Sequence, residues 1–200
     1  MSIDGGGLSG LGGRLPLYGR DALHPLQAEL YDWLMNVAVP WAEGAKFQAS
    51  TADGQLIGPF NPALLTPAIS TAFLQLAVSE QKNTSLSRRC REVIIVTVGA
   101  VWQAPYELYA HCAVAEQVGL SDEAVRTLAE GGLPEGLTEA EAVAHRVARA
   151  LSVEHGLDDA LYREAQALLG SEGVMEAAVL TGIYHTVCAI LNAFRIPAPR

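Results

Sequence analysis

Residues 86–125 read LSRRCREVIIVTVGAVWQAPYELYAHCAVAEQVGLSDEAV, and the choice between helix and strand in this stretch sets the predicted fold class. Its apolar part, REVIIVTVGAVW, is rich in the β-branched residues that favour strands. Two features favour a helix instead: Ser87 stands where a helix cap would stand, and the run continues for about fifteen residues to Trp102, which exceeds a typical strand. We therefore predict a buried helix from Ser87 to Trp102 and a second helix over 105–118, with a proline in its first turn and a glycine after its end.

Helical patterns continue along the rest of the chain. Prolines in first turns or capping Ser, Thr and Asp residues mark further helix starts, and no segment alternates strands with helices as an α/β protein does. We therefore predict an all-α helical bundle of about seven to eight helices. It should form a single domain over 21–200, preceded by a flexible glycine-rich tail over 1–20. The further helix starts lie at Pro25, Pro67, Ser121, Thr138 and Asp158, and the first of these helices should end at Pro40.

Composition limits the possible partners. Of the 200 residues, 50% are hydrophobic, which suffices for one full core, and the net charge is −9 with only 13 Lys and Arg. This charge disfavours nucleic acids and anionic membrane surfaces, because both attract basic proteins. The three cysteines include no CxxC pair, which disfavours a disulfide framework and a zinc site. We expect a cytoplasmic protein.

Two further segments bear on assembly. The apolar run 177–194 approaches the length of a membrane span, but it contains His185 and lacks flanking basic residues, so we interpret it as a buried core helix. Together with the helix at 87–102 it makes two largely apolar helices in a short chain, which predicts a homo-oligomer. The Gly- and Ala-rich segment 42–62 is long for a connection and is a candidate lid or subunit contact.

The helix over 105–118 carries a carboxylate and an imidazole on one face. Glu107 and His111 are four residues apart, so their side chains are neighbours within reach of a hydrogen bond. A carboxylate raises the pKa of an adjacent imidazole and burial lowers it, and this balance can place an acid or base near neutral pH. Cys112 lies about 100° from His111 around the helix and should face neighbouring helices. A second pair of the same spacing, Glu141 and His145, lies among charged residues and is interpreted as a solvated face.

Three arginines stand in the first turn of the helix at 87–102, where the helix dipole disfavours positive charge: Arg88, Arg89 and Arg91. One explanation is that they pair with Glu92 and with other acids of this acidic chain. The other is that they create a positive field that attracts a carboxylate substrate. The sequence leaves both explanations open.

The order of residues in this region resembles the carboxymuconolactone decarboxylase family, which includes the alkylhydroperoxidase D-like proteins. In the peroxidase branch of that family, a CxxC pair between a Glu and a His turns over peroxide. Here those two positions hold Ala104 and Glu107, so both thiols are missing. The chain is therefore similar to the decarboxylase branch. The resemblance covers 86–125 closely and rests on Arg91-Glu92, Tyr106-Glu107, His111 and Gly119-Leu120-Ser121.

The decarboxylase branch implies metal-free and cofactor-free decarboxylation of a small cyclic carboxylic acid in aromatic-compound breakdown, by a trimer or a hexamer. Loss of carbon dioxide leaves a carbanion that must be delocalised and then protonated. The predicted catalytic residues are Glu92, Glu107 and His111. In this hypothesis His111 donates the proton, Glu107 orients the imidazole, and Glu92 reaches the same cleft from the preceding helix. Arg91 is a candidate for holding the substrate carboxylate.

Three alternatives stay open on the sequence alone. A residual alkylhydroperoxidase-like peroxidase could act through Cys112, although the motif thiols are absent. The chain could also be an oligomeric protein without turnover, because a Glu–His pair of this spacing arises by chance in many helices. A divalent metal held by two carboxylates and the imidazole is the weakest of these options.

Overall fold

The computed structural model describes residues 10–200, and over these residues the fold is all-α. No β-strand occurs in this part of the chain, where only Ser50 and Leu56 form an isolated bridge. The predicted all-α bundle is therefore confirmed. The α-helices are α1 (Pro25–Trp33), α2 (Val39–Gly44), α3 (Phe60–Ala63), α4 (Pro67–Asn83), α5 (Arg88–Trp102), α6 (Pro105–Gln117), α7 (Asp122–Ala129), α8 (Glu139–Val153) and α9 (Asp159–Ala193).

Helix α5 lies at the centre of the bundle. The Ser87 hydroxyl accepts a hydrogen bond from the Cys90 amide at 3.1 Å, as expected of the cap, and every residue from Cys90 to Gly99 is buried. One side of α5 packs against α8 and α9, and the other side packs against α6 and α7. The β-branched residues of this segment are therefore helical because neighbouring helices cover them on several sides, which outweighs their intrinsic preference for strands.

Helix α6 runs back along α5 after a tight reversal. Gln103 adopts φ 48° and ψ 47°, the left-handed conformation that ends α5, and Pro105 occupies the first turn of α6. Gly119 follows the end of α6 with φ 91°, a value that glycine tolerates without steric cost. This antiparallel arrangement brings Glu92 of α5 close to His111 of α6.

The chain between α1 and α2 differs from the prediction that a helix ends at Pro40. The helix continues through a π-helical segment, Leu34–Ala38, in which the Val39 amide donates to the Leu34 carbonyl, and ends at Gly44. The prediction of a stop was wrong. A proline ring clashes with the carbonyl four residues earlier in a regular helix, and the wider π turn relieves that clash.

Helix α9 closes the bundle. The Asp158 carboxylate accepts a hydrogen bond from the Leu161 amide at 2.8 Å, which confirms the predicted cap. Gly170, with φ 74° and ψ 168°, interrupts the helix, and the part after it packs on α5 and α8. Helix α9 is long and apolar enough to cross a membrane by length and composition alone, with a mean hydropathy of 1.6 and 33% of that window buried. The core helix of a soluble protein passes the same test of length and composition.

The segment between α2 and α3 packs into the core, which differs from a lid over 42–62, and the alternative of a subunit contact stays a prediction. Phe47, Leu56 and Ile57 are buried, and the Tyr106 hydroxyl donates to the Gln48 carbonyl at 2.5 Å. Gly58 has φ 64°, and a Cβ there would lie 2.2 Å from the ring of Tyr106. The segment therefore supports helix α6 from the side that carries the tyrosines.

The flexible tail predicted over 1–20 is not found throughout that range. Residues 1–9 lie outside the described part of the chain, whereas the chain from Gly10 onward packs against the bundle. The Arg14 amide donates to the Phe194 carbonyl at 2.7 Å, and the Arg14 guanidinium donates to the Ala193 carbonyl at 2.9 Å. These contacts anchor the segment at the end of α9, where the carbonyls of a helix lack partners within the helix.

Candidate active site

The candidate site lies between α5, α6 and α9 and consists of polar side chains inside the bundle. Glu92 projects from the first half of α5, and Glu107 and His111 project from successive turns of α6. Their exposed fractions are 7%, 3% and 6%. The structure therefore brings the three predicted catalytic residues together, away from bulk water. Buried ionisable groups are costly unless they are paired, so their contacts decide what they can do.

His111 lies between the two carboxylates. Its Nδ1 is 2.8 Å from Glu92 Oε2, a good hydrogen-bond distance, and its Nε2 is 3.5 Å from Glu107 Oε1. The second distance is too long for a strong hydrogen bond, and Glu107 Oε1 is buried without a hydrogen-bond partner among the described residues. The geometry corrects one prediction: the carboxylate that orients the imidazole is Glu92, from the neighbouring helix, and not Glu107.

The ionisation of the pair follows from burial and charge. Burial raises the pKa of Glu107 from 4.5 to about 7, because the apolar surroundings outweigh the attraction of His111, and the charge of Glu92 raises it further. Burial alone would lower the pKa of His111, but Glu92 and Glu107 raise it above its ordinary value. Near neutral pH the Glu107 carboxyl group therefore readily gains or loses a proton, beside an imidazole whose pKa the two carboxylates raise.

Two aromatic side chains border the imidazole. The ring of Tyr184, on α9, meets His111 edge to face with 5.0 Å between ring centroids, and Trp41, on α2, lies 6.4 Å away. Burial and the negative charges of Glu107 and Glu92 raise the pKa of the Tyr184 hydroxyl well above its ordinary value. This hydroxyl stays protonated and has no hydrogen-bond partner among the described residues. Trp41 is 43% exposed, whereas His111 is 6% exposed.

A buried ion pair adjoins this cluster. Arg91 Nη1 donates to Glu80 Oε1, and the two side chains are only 10% and 5% exposed. The charge of Arg91 reaches His111, whose pKa it lowers, and it also lowers the pKa of Tyr184. Of the two explanations for the arginine-rich first turn, pairing with an acid applies to Arg91, and a positive field that attracts a substrate carboxylate stays a prediction. Arg89 pairs with Glu141 on α8 at 2.5 Å, away from the site.

Sequence reasoning missed Tyr184, Trp41 and Glu80 as residues of this region. Tyr184 precedes His185 inside an apolar run, and polar residues in such a run are a signal that could have directed attention to it. Glu80 and Trp41 carry no comparable signal, because both lie on other helices and approach His111 only through the tertiary fold.

The remaining predicted groups lie elsewhere. Cys112 faces the cluster between α5, α6 and α7, as predicted, and burial raises the pKa of its thiol to about 11. Glu141 and His145, predicted to form a solvated face, are each only 3% exposed, so that prediction was wrong. Glu141 pairs with Arg89 and accepts from the Thr138 amide at 2.9 Å, whereas His145 lies 2.8 Å from the Thr97 hydroxyl. Partners on α5 compensate the burial of both polar groups.

The donor atoms do not converge as metal ligands. The two carboxylates lie against opposite nitrogens of the same imidazole, so no common point lies within bonding distance of all three groups, and no other cluster of His, Cys, Asp and Glu in residues 10–200 fits a metal ion. The arrangement is suited to proton transfer.

Comparisons with known proteins concern the matched family segment and the fold. Residues 67–150 match the carboxymuconolactone decarboxylase family, and no curated protein matches the chain. The fold is similar to that of a peroxidase-related protein from Ralstonia eutropha JMP134, an alkylhydroperoxidase AhpD core, with a TM-score of 0.72 and 15% identity over 93% of this chain and 92% of that chain. A related protein from Silicibacter sp. TM1040 gives 0.69 and 15% over 93% and 91%.

A third solved structure is the debrominase Bmp8, as a cysteine-to-alanine variant in complex with 2,3,4-tribromopyrrole. It gives a TM-score of 0.70 and 17% identity over 93% of this chain and 91% of that chain. At these identities the likeness shows the fold, and the matched segment 67–150 contains Glu80, Arg91, Glu92, Glu107 and His111. The chain therefore matches the carboxymuconolactone decarboxylase family over residues 67–150, and its fold is similar to that of an alkylhydroperoxidase AhpD core.

Proposed function

We propose that this protein is a cofactor-free decarboxylase or isomerase that acts on a small cyclic or unsaturated carboxylic acid, of the carboxymuconolactone type met in aromatic-compound breakdown. The observation that carries the proposal is the buried imidazole of His111, held by Glu92 at 2.8 Å and facing Glu107, whose pKa is raised to about 7. An acid poised near neutral pH in a site away from bulk water is the requirement for proton delivery to carbon.

The proposed step begins with the substrate carboxylate. The bond between carbon dioxide and the ring carbon breaks, carbon dioxide leaves, and the electron pair moves into a neighbouring carbonyl as an enolate. His111 Nε2 then donates a proton to the carbon that lost carbon dioxide, and the carbonyl re-forms. Glu92 fixes the imidazole through Nδ1, and Glu107, which faces Nε2, restores the proton to the imidazole. An isomerase would use the same groups to remove and return a proton without loss of carbon dioxide.

Three groups around His111 have unused hydrogen-bonding capacity and can receive such a substrate. They are the remaining donors of the Arg91 guanidinium, the Tyr184 hydroxyl and Glu107 Oε1. A cation and a neutral donor favour a carboxylate or an enolate oxygen. The Glu107 carboxyl group supplies the proton that returns to His111. The proposed reaction uses neither a metal ion nor a cofactor.

The test is turnover by the purified protein on a panel of small unsaturated and cyclic carboxylic acids, with released carbon dioxide and isomerised product as separate readouts. Turnover of one class of acid that is lost in His111→Gln supports the proposal. A panel without turnover, at protein concentrations at which the chain is folded, favours an oligomeric protein without catalysis.

A thiol peroxidase is the second candidate, because two of the solved proteins of this fold are described as peroxidase-related. The structure supports it less. The pKa of Cys112 is raised to about 11, which keeps the thiol protonated and unreactive, and neither Cys90 nor Cys188 lies in a CxxC motif. Peroxide consumption that is lost in Cys112→Ser would favour this function.

We also propose that the chain assembles into a trimer or a hexamer in the cytoplasm. Helix α4 has no buried residue, and its large apolar side chains Ile69, Leu76 and Val78 are 71%, 48% and 47% exposed. Exposed apolar side chains on one element favour burial against another subunit. A stable monomer in sedimentation at micromolar concentration would contradict this assembly.

A further inference from the structure

Helix α4 packs loosely against the rest of its own chain. It has 17 residues and none of them is fully buried. Leu74 packs against a core cluster, whereas Ile69, Leu76 and Val78 are 71%, 48% and 47% exposed. Most of the stability of a helix in a protein comes from the packing of its apolar face. Within a single chain, α4 therefore lacks much of the packing that stabilises a helix of this composition.

The exposed apolar side chains of α4 form a stripe that leads to the candidate site. Ile69 and Leu76 are seven residues apart, so they lie on one face of the helix, with the exposed Ala72 between them. Glu80 follows Leu76 by four residues on the same face, but its side chain is only 5% exposed, where it pairs with Arg91. A partner that covers Leu76 therefore lies one helical turn from the Glu80–Arg91 pair.

The exposed apolar surface extends from α4 onto α1. The Gln27 side-chain amide donates to the Leu64 carbonyl at 2.8 Å, and the neighbouring residues Leu26 and Leu65 are 60% and 41% exposed. This extension matters because a stable interface buries about 800 Å² on each partner, more than one helix face provides. We call this surface the α4 face, and it consists of Leu26, Leu65, Ile69, Ala72 and Leu76.

The Glu80–Arg91 pair connects the α4 face to the candidate site. Arg91 precedes Glu92, the carboxylate that bonds His111 at 2.8 Å, and the charge of Arg91 acts on the pKa of the imidazole. A firmly held α4 keeps Glu80 against Arg91. A loosened α4 would leave a lone arginine beside the Glu92–His111 pair.

Charge identifies the kind of partner that fits the α4 face. The chain has a net charge of −9, so two copies repel each other wherever their acidic surfaces meet. Helix α4 contains only two charged residues, Glu80, which is paired with Arg91, and Lys82. A second copy of this chain can therefore approach this face without bringing acidic groups together.

We propose, on the basis of the assembly proposed above, that a second copy of this chain docks on the α4 face, and that this contact holds Glu80 against Arg91 at the edge of the candidate site. The site is then complete only in the oligomer. Two events that depend on one element influence each other equally. Loss of the Glu80–Arg91 pair therefore weakens docking, just as loss of docking loosens the pair.

The first measurement is self-association, by sedimentation across micromolar concentrations. Leu76→Glu is compared with the matched control Leu133→Glu, whose leucine is 49% exposed in the connection between α7 and α8. We expect Leu76→Glu to weaken association by at least about thirtyfold, the effect of losing a central interface residue. Leu133→Glu should associate as the wild type does.

The second measurement tests the link to the site. Glu80→Gln should weaken association by about fivefold or more, although its side chain is too buried to add contact area. The control Glu164→Gln, which breaks a surface pair with Arg146, should not change association. Hydrogen exchange of the α4 amides should be at least about tenfold faster in dissociated Leu76→Glu than in the wild-type oligomer, with the α8 amides unchanged.

The outcomes separate this proposal from the others. A wild type that stays monomeric overturns both the second copy as partner and the proposed assembly. An oligomer that survives Leu76→Glu and Ile69→Glu overturns the α4 face and leaves the assembly standing. Dissociation without faster exchange in α4, or normal association of Glu80→Gln, overturns the hold on Glu80.

A second variant covers the case in which Leu76→Glu does not fold. Ile69→Glu changes a side chain that is already 71% exposed, and it should dissociate the oligomer in the same way. None of these measurements uses turnover. A panel of acids without turnover would therefore count against the proposed catalytic function alone.

Discussion

The molecule contains two glutamate–histidine pairs with the same spacing, and they differ in chemistry. Glu107 and His111 lie on α6, Glu141 and His145 lie on α8, and all four side chains are buried. On α6 the imidazole is held between two carboxylates. On α8 the glutamate is bound by Arg89 and by the helix start, whereas the histidine contacts a hydroxyl. Spacing on a helix therefore does not distinguish a candidate catalytic pair from a structural one.

The environments set the pKa values of the two histidines in opposite directions. Carboxylates raise the pKa of His111 against the effect of burial, whereas burial, together with Arg149 and Arg146, lowers the pKa of His145 to about 4. His145 is thus a neutral core residue at physiological pH. The comparison shows that burial and the nearby charges, on the same helix and on neighbouring helices, together set the pKa of a buried histidine.

The largest expected effect separates the two histidines by activity. His111→Gln should lower turnover by about 10²–10⁴, the range of a general acid, while the chain stays folded because glutamine can still bond Glu92. His145→Gln should leave turnover unchanged and lower the free energy of unfolding by about 1–2 kcal/mol, through the altered bond to Thr97. Turnover and thermal unfolding are measured on both variants. Equal losses of activity per folded molecule would contradict the assignment.

A smaller expected effect is that the two pairs change the free energy of unfolding in opposite ways as the pH rises. The raised pKa of Glu107 means that its contribution to stability is present below its ordinary value of 4.5 and is lost as the pH rises through about 7. The lowered pKa of His145 acts oppositely, because its contribution is present above 6.5 and is lost as the pH falls through about 4. Each slope is at most about 1.4 kcal/mol per pH unit.

Denaturant unfolding from pH 4 to 8 measures both slopes. Glu107→Gln should remove the fall in stability towards pH 7, and His145→Gln should remove the rise between pH 4 and 6.5.

Glu107→Gln should also lower turnover less than His111→Gln and shift the pH optimum towards acid, because the imidazole loses a charged neighbour. Identical pH profiles for wild type and Glu107→Gln would show that Glu107 does not carry a perturbed proton.

The smallest expected effect concerns the thiols. Cys112→Ser and Cys90→Ser should leave activity and fold intact, because Cys112 faces the cluster between α5, α6 and α7, and Cys90 faces the one between α5, α8 and α9. Parallel assays of acid turnover and peroxide consumption on both variants check this. A loss of either activity would move the chemistry from the imidazole to sulfur.

Interactions between residues that are close in sequence were easier to predict than contacts between helices. Caps at Ser87, Thr138 and Asp158 were predictable, because they bond to amides three residues away. The predicted end of the first helix at Pro40 was wrong, because a π-helical segment before the proline lets the helix continue. The burial of Glu141 and His145 was not predictable either. Charged residues surround them in the sequence, and only the packing of α5 against α8 buries their face of the helix.

Most helix starts, the all-α fold, the family resemblance and the adjacency of Glu107 and His111 were predictable from the sequence, because they depend on spacing along the chain. The contacts of Glu92 and Tyr184 with the imidazole, and the pairing of Glu80 with Arg91, form only when the helices pack. Those contacts join different helices, so they depend on which faces meet when the core packs. The pKa values depend on the same packing, because burial and the charges of neighbouring helices shift them.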